Sequence, residues 1–179
     1  MDSLAIAEKP LSAPKTIERF IVNDSDMDNP ADYKRFAVTD AGVSPRALPC
    51  KGKALVMATG NEHREDGHLS ERISDRNSQM DKRHRKLKDM ANEMRPPEVY
   101  HGDSELLLVG WGATAGALME SVDLLRQEGV DVGAVLFCDI WPFPEAETVS
   151  ALNRCKRFHM VEQNVSAQLG WLIRERTGL

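Results

Sequence analysis

The chemically richest part of the chain is a polar segment that follows an apolar run. Residues 54–59 read Ala-Leu-Val-Met-Ala-Thr, and the polar segment after them closes at Gly67 and His68. An apolar run that ends in glycine is typical of a buried parallel strand, and open α/β sheets present ligand-facing groups at such strand ends. We therefore predict a strand over residues 53–59 and a functional loop after it. The loop and interface candidates are Asn61, Glu62, His63, His68 and Glu71.

The same loop contains side chains that could ligate a metal ion. His63 and His68 are five residues apart, with Glu62, Glu65 and Asp66 nearby. Structural zinc sites rarely form from such a cluster without cysteine, and charged loops often bond internally. We predict no metal ligand here. The sequence also contains no P-loop, kinase signature or Ser-His-Asp arrangement, so no catalytic residue is assigned.

A glycine-rich turn, Gly110-x-Gly112-x-x-x-Gly116, lies between a predicted strand and a predicted helix. Free backbone N–H groups at such a helix start favour a phosphate or carboxylate, so Gly110, Gly112 and Thr114 are the anion or cofactor candidates. Asp139 follows the next strand, about where a ribose-binding acid would fall. The spacing misses the dinucleotide fingerprint by one residue, which favours close packing of helix on sheet. Nucleotide or coenzyme A binding is the alternative.

A run of cations lies on a predicted helix with few apolar positions. Such a run is usually a solvated face, and it could also contact an acidic partner. The net charge of −5 argues against a nucleic-acid binder. The candidate basic partner face consists of Lys82, Arg83, Arg85 and Lys86.

The remaining pattern predicts the elements that position these groups. Apolar runs predict strands over residues 53–59, 106–109 and 132–138, and we predict a fourth strand over residues 157–162. Between and after them we predict helices over residues 72–94, 114–128, 145–155 and 167–176. This alternation predicts an α/β fold with a mostly parallel sheet and helices on both faces, in three layers.

Composition restricts the class of protein further. At 179 residues and 41% hydrophobic content, the chain can form one ordinary domain with an attached segment. We expect residues 1–50 to be an extended arm and residues 51–179 to be the α/β domain. Three cysteines form no C-x-x-C pair, which argues against an iron–sulfur cluster and indicates a reducing cytoplasm, with Cys138 buried in a strand. We find neither a membrane-spanning run nor a signal-peptide pattern.

Several segments together resemble the α subunit of 2-oxoacid:ferredoxin oxidoreductases. They occur in family order from about residue 36 to the end of the chain, and the Gly60-Asn-Glu-His63 element is more similar to the 2-oxoglutarate type than to the pyruvate type. The matching segments are residues 36–49, 58–63, 67–71, 80–87, 109–112, 139–144, 162–164 and 168–169.

The resemblance implies a transketolase C-terminal-like domain of an enzyme that uses thiamine diphosphate to convert a 2-oxoacid to an acyl-coenzyme A. It implies that this chain is a fragment or separately encoded piece, with residues 1–15 similar to the tail of a preceding domain. Thiamine diphosphate and the iron–sulfur cluster would belong to a β subunit, and coenzyme A to the intact complex, with none bound by this chain alone. The other implied partners are the remaining α-subunit domains and ferredoxin.

Overall fold

The computed structural model describes residues 20–179, whose contacts divide into two compact units. One unit comprises residues 20–92 and the other residues 93–179. The predicted domain boundary at residue 50 stays a prediction, and the expected tail, residues 1–15, lies outside the described residues.

The unit of residues 20–92 contains one long helix, α1 (Ile73–Ala91), which confirms the predicted helix with shorter ends. In the sequence, Ile73, Met80, Leu87 and Met94 recur every seven residues, and this spacing, with Met90 in addition, predicts a thin apolar stripe on the helix. In the structure the buried side chains of α1 are instead Gln79 and Lys82, and Ile73 and Met90 are exposed. The stripe was wrong because it was inferred from spacing alone, whereas the two buried side chains of α1 donate hydrogen bonds to the carbonyl oxygen of Phe36.

The unit of residues 93–179 is built around a sheet with strand order β1-β3-β2-β4. Strands β2, β3 and β4 are mutually parallel along the two ladders β2–β3 and β2–β4, and β1 joins β3 antiparallel. The strands are β1 (Glu98–Tyr100), β2 (Leu106–Trp111), β3 (Val132–Phe137) and β4 (Arg157–Met160). The helices are α2 (Ala115–Gln127), α3 (Glu145–Leu152) and α4 (Gln168–Thr177).

Helices cover both faces of this sheet, as predicted. Alternate residues of a strand point to opposite faces, so β3 contributes Ala134 to one apolar cluster and Val135 to the other. The first cluster packs β3 against α2 through Leu118 and Val122. The second packs the sheet against α3 and α4 through residues such as Ile173. This arrangement confirms the three-layer α/β fold class.

Two sequence predictions about this fold were wrong. Residues 53–59 form no strand, and Leu55 within them is 72% exposed, whereas the additional strand is the short antiparallel β1. A short apolar run cannot be assigned to a strand by composition alone. Strand β1 was not predicted because it has only three residues and directly follows a pair of prolines. Cys138 is exposed rather than buried because β3 ends one residue earlier, at Phe137.

Among the helices of the described residues, none is long and apolar enough to cross a membrane.

Candidate functional site

The polar loop folds as a tight turn closed by its own backbone. Arg64 N donates to His68 O at 2.9 Å, and Gly67 N donates to Arg64 O at 3.0 Å. His63 and Leu69 form an isolated antiparallel bridge, and Ser70 N donates to Glu62 O. Gly67 adopts φ +98°, and a Cβ there would overlap the carbonyl oxygen of Met57, so only glycine fits without strain.

Glu62 links this turn to helix α1 through a bidentate ion pair. Arg83 Nη2 donates to Glu62 Oε2 at 2.8 Å, and Nη1 donates to Oε1 at 3.3 Å. The Arg83 guanidinium, which hydrogen-bonds this carboxylate, is the main cause that holds the pKa of Glu62 below its ordinary value. Two charged candidates from different predicted groups, the loop and the basic face, therefore bind each other.

The other carboxylates of the turn are also occupied within the unit. Glu65 accepts hydrogen bonds from Val38 N at 2.8 Å and from Lys34 Nζ at 3.1 Å. Asp66 accepts from His68 N at 2.9 Å. The described residues contain no group of three His, Cys, Asp or Glu side chains able to hold a metal ion. The charged side chains of the turn thus form hydrogen bonds that stabilise the turn and its contacts within the unit.

His63 and Lys82 are buried around the Phe36 ring and carbonyl group. The His63 ring stacks on the Phe36 ring with centroids 3.7 Å apart. Lys82 Nζ donates to Phe36 O at 2.8 Å and to Ser44 Oγ at 3.0 Å, and burial lowers the pKa of Lys82 to about 8. A buried ammonium requires such acceptors because it has left its water shell. Lys82 is a packing residue here rather than part of an exposed basic face.

Most residues of the candidate basic partner face therefore bind groups within their own unit. Lys82 and Arg83 have the partners just described, and Arg85 Nη2 donates to Thr39 O at 3.0 Å. Lys86 is exposed. The role of Asn61, His68 and Glu71, which are also exposed, stays a prediction.

Removing the Glu62 carboxylate should loosen the turn from α1. We expect Glu62→Gln to destabilise this unit by about 1 kcal/mol, because the bidentate ion pair is only partly exposed. Chemical denaturation of the single and double variants of Glu62 and Arg83 measures their coupling. The matched control is Glu71→Gln, at an exposed position nearby, which should leave stability unchanged. Additive losses in the double variant would contradict a direct interaction.

The glycine turn after β2 is shaped mainly by packing. A Cβ on Gly110 would overlap Leu118 Cδ1 and lie 2.8 Å from Thr114 Oγ1. Thr114 Oγ1 accepts from Trp111 N at 3.1 Å and donates to Trp111 O at 2.8 Å. Gly112 differs because it has φ +58° and open space around its Cβ position. The environment of Gly110 favours the interpretation of close helix–sheet packing.

The carboxylate of Glu162 joins the ends of β2 and α4. It accepts hydrogen bonds from Leu169 N and Gly170 N, each at 3.0 Å, and from Trp111 Nε1 at 3.2 Å. Asn164 Nδ2 donates to it at 2.7 Å. Burial acts to raise the pKa of Glu162, but these hydrogen bonds outweigh it and lower the pKa below its ordinary value. Glu162 is thus the acceptor that satisfies the first turn of α4.

A second ion pair lies after the end of β3. Arg95 Nη2 donates to Asp139 Oδ1 at 2.8 Å and Arg95 Nε donates to Oδ2 at 3.1 Å, while Nη2 also lies 2.7 Å from Cys138 Sγ. The hydrogen bonds from Arg95 lower the pKa of Asp139 to about 2. Asp139 was considered for a ribose contact, and its carboxylate here binds arginine instead. Sequence reasoning missed Arg95 because no spacing rule links residues 95 and 139.

Comparison with known proteins gives consistent matches. Residues 104–177 match the sequence model for pyruvate:ferredoxin oxidoreductase core domain II. The chain is 38% identical to the 2-oxoacid:ferredoxin oxidoreductase 2 α subunit of Aeropyrum pernix, over 86% of this chain and 24% of that protein. It is 34% identical to the 2-oxoacid:ferredoxin oxidoreductase 1 α subunit of Sulfurisphaera tokodaii, over 82% of this chain and 23% of that protein.

A solved structure matches as well. The 2-oxoglutarate:ferredoxin oxidoreductase from Magnetococcus marinus, with 2-oxoglutarate, coenzyme A and succinyl-CoA bound, superposes with a TM-score of 0.64 at 30% identity. The match covers 86% of this chain and 27% of that chain. The chain thus spans about a quarter of the length of the relatives it matches. These matches place it in the 2-oxoacid:ferredoxin oxidoreductase family, as the counterpart of about a quarter of the α subunit.

Proposed function

We propose that this chain is an assembly and positioning domain of a thiamine-diphosphate-dependent 2-oxoacid:ferredoxin oxidoreductase. In the intact complex, the enzyme would decarboxylate 2-oxoglutarate oxidatively, pass electrons to ferredoxin and form an acyl-coenzyme A. The observation that carries the proposal is the match to named α subunits along 86% of the chain. The 2-oxoglutarate preference is supported by the Magnetococcus marinus enzyme, which was solved with that acid bound.

The chemistry of the described residues fits a supporting role. Thiamine diphosphate is held in proteins through a divalent cation, which needs oxygen ligands gathered in one place, and iron–sulfur clusters need several thiolates. The described residues gather no three acidic or histidine ligands, and their cysteines at 50, 138 and 155 are separate free thiols. The three separate thiols do not fit an iron–sulfur cluster. We propose that a β subunit holds both cofactors and that the complex is cytoplasmic.

The residues of this chain would contribute rigid surfaces rather than reacting groups. Glu162 fixes the start of α4 against the end of β2, and the Arg95–Asp139 pair fixes the loop after β3. In the other unit, the Glu62–Arg83 pair fixes the polar turn on α1. Surfaces held in this way lose little conformational entropy on binding, which favours association with other subunits.

Light scattering on a gel-filtration column tests this proposal directly. The chain would be run alone and then mixed with the thiamine-binding β subunit from the same organism. We expect a stable mixed complex. Two independent peaks at micromolar concentrations would count against an assembly role for these residues.

Substrate preference needs a separate assay on the complete complex. We expect coenzyme A-dependent reduction of a viologen dye to be faster with 2-oxoglutarate than with pyruvate. Faster reduction with pyruvate would contradict the 2-oxoglutarate assignment and leave the assembly role intact.

A second candidate function is an independent module that binds a nucleotide or coenzyme A at the turn of residues 110–116. One observation favours it, namely the open space around Gly112 just before α2. Calorimetric titration of the chain with coenzyme A, NAD and ATP tests it. Flat titrations at millimolar ligand would count heavily against this alternative.

A further inference from the structure

A loop in the unit of residues 20–92 lies directly on helix α1. It comprises residues 36–44, and we call it the 36–44 loop. Gly42 packs on the backbone of α1, since a Cβ there would lie 2.5 Å from Lys82 O and 2.6 Å from Lys86 N. Nearby, Arg85 Nη2 donates to Thr39 O at 3.0 Å. These contacts hold the middle of the loop against the helix.

Lys82 joins the two ends of the 36–44 loop. Its side chain is buried, and its Nζ donates to Phe36 O at 2.8 Å and to Ser44 Oγ at 3.0 Å. The Ser44 hydroxyl donates its own hydrogen to Ala37 O at 2.9 Å, so its oxygen acts as the acceptor for Lys82. A single amine on α1 therefore binds both ends of the loop.

The number of acceptors around Lys82 matches a neutral amine. A neutral amine has two N–H donors, whereas an ammonium has three. Among the described residues, Nζ has two acceptors, Phe36 O and Ser44 Oγ. Gln79 supplies no third acceptor, because its Nε2 donates to the same Phe36 O at 3.0 Å and its buried Oε1 accepts no hydrogen bond within the described part of the chain. A buried donor without an acceptor costs free energy, so this site favours the neutral form.

The main charged neighbours of Lys82 favour the neutral form as well. Arg83 and Lys86 on α1 and Arg35 beside the loop are cations that oppose protonation of Lys82, and Glu65 in the polar turn is an acid that favours it. Burial of the amine is the largest cause of its lowered pKa, about 8. Three cations against one acid therefore add to the effect of burial.

Phe36 connects Lys82 to the polar turn. Phe36 N donates to Glu65 O at 2.8 Å, and the Phe36 ring stacks on the His63 ring with centroids 3.7 Å apart. Lys82 Nζ lies 5.7 Å from the centre of the Phe36 ring. Glu62, another acid of this turn, is paired with an arginine of α1. Movement of Phe36 away from Lys82 would therefore also break its contacts with the polar turn.

We propose that Lys82 makes the attachment of the 36–44 loop to α1 depend on pH, with the loop and the polar turn held more firmly when Lys82 is a neutral amine than when it is an ammonium. The observation that carries this inference is the buried amine with two acceptors at the two ends of one loop. The inference is independent of the assembly function, because it concerns contacts within residues 20–92.

The direction of the pH dependence follows from proton binding. In a detached loop, Lys82 is in water with its ordinary pKa of 10.5, whereas in the attached loop its pKa is about 8. Between these two values the detached state binds the additional proton, so attachment becomes more favourable as the pH rises from about 8 to about 10.5. Well below pH 8 both states hold the proton and the dependence disappears. Between pH 7.5 and pH 9.5 we expect the detached population to fall about tenfold.

Cleavage of the native protein by trypsin at the Arg35–Phe36 bond measures detachment, because the protease needs an extended chain on both sides of the bond. Cleavage of a transiently detached loop follows its equilibrium population. The full chain would be digested at pH 7.5 and at pH 9.5, and each rate divided by that of a synthetic peptide of residues 30–50 at the same pH. We expect the normalised rate of the wild type to fall about tenfold. An unchanged or rising rate would overturn the proposal.

Two lysine variants show whether Lys82 is responsible. Lys82→Met removes the titrating amine and keeps an unbranched side chain of similar length, so its normalised rate should change little between the two pH values. Lys88→Met is the matched control at an exposed lysine of the same helix, and it should keep the wild-type change. Circular dichroism checks that both are folded. A folded Lys82→Met variant with the wild-type pH dependence would overturn the proposal, as would loss of that dependence in Lys88→Met.

A second measurement needs no variant. With lysine labelled with carbon-13 at the ε carbon, nuclear magnetic resonance follows the protonation of each lysine side chain in the intact protein. We expect one lysine signal of the wild type to titrate near pH 8. The absence of such a signal would overturn the proposal even if Lys82→Met does not fold.

Discussion

Replacing Gly133 with alanine should destabilise the protein by about 3 kcal/mol or more, because the new methyl group has no room. Gly133 lies in β3 between β1 and β2, and a Cβ there would overlap the carbonyl oxygen of His101 and lie 2.6 Å from that of Tyr100. Both are backbone atoms, so relief requires the segment after β1 to move. Unfolding in guanidinium chloride, followed by circular dichroism, measures the loss.

Gly116 provides the control for this prediction. It lies in α2, and a Cβ there would meet no atom within 4 Å. Gly116→Ala should therefore leave the fold intact and raise its stability by about 0.5–1 kcal/mol, since alanine favours helix more than glycine does. Wild-type stability for Gly133→Ala would show that β1 can separate from β3 at low cost. That result would contradict close packing of the segment at the end of β1 against Gly133.

The second large effect is expected at Glu162. Glu162→Ala removes the acceptor for Leu169 N, Gly170 N and Trp111 Nε1 at once. We expect a loss of about 2–3 kcal/mol, since donors left without a charged acceptor at a helix start are costly. Amide hydrogen exchange should increase more in α4 than in the other helices. Glu162→Gln should lose less because its amide oxygen can still accept one or two of these bonds.

The same group should make stability depend on pH. The pKa of Glu162 is lowered in the folded protein, so its contribution is complete above the ordinary pKa of about 4.5. That contribution is lost as the pH falls through the folded-state pKa. The difference in unfolding free energy between wild type and Glu162→Gln should therefore shrink with acidification below pH 4.5. Glu175→Gln, at an exposed position on α4, serves as the control, and an unchanged difference would contradict the charge-based explanation.

The α/β architecture was predictable because its signals are long and repeated. Strands β2 and β3 each read as continuous apolar runs, and Gly129, which adopts φ +85°, follows the last turn of α2. Such elements are specified by local pattern and by burial on both faces. β1 was not predictable, because three residues after two prolines carry almost no periodic signal.

The candidate site was less predictable because it depends on pairings between distant residues. Nothing in the local sequence indicates that Arg83 binds Glu62, that Arg95 binds Asp139, or that Lys82 is buried against Phe36. A charged side chain looks the same in sequence whether it faces solvent or closes a turn. The sequence identified which residues are chemically notable, and the structure identified which of them satisfy one another.

The unit of residues 20–92 buries polar side chains such as Gln79 and exposes apolar ones such as Leu55, and this distribution affects how the protein is made. These residues leave the ribosome before those that form the two apolar clusters, and domains tend to fold as units during synthesis. With Ala47 as its single buried apolar residue among the described ones, this stretch has little to drive early collapse. Its exposed Leu55 and Ile73 would then be available to chaperones during synthesis.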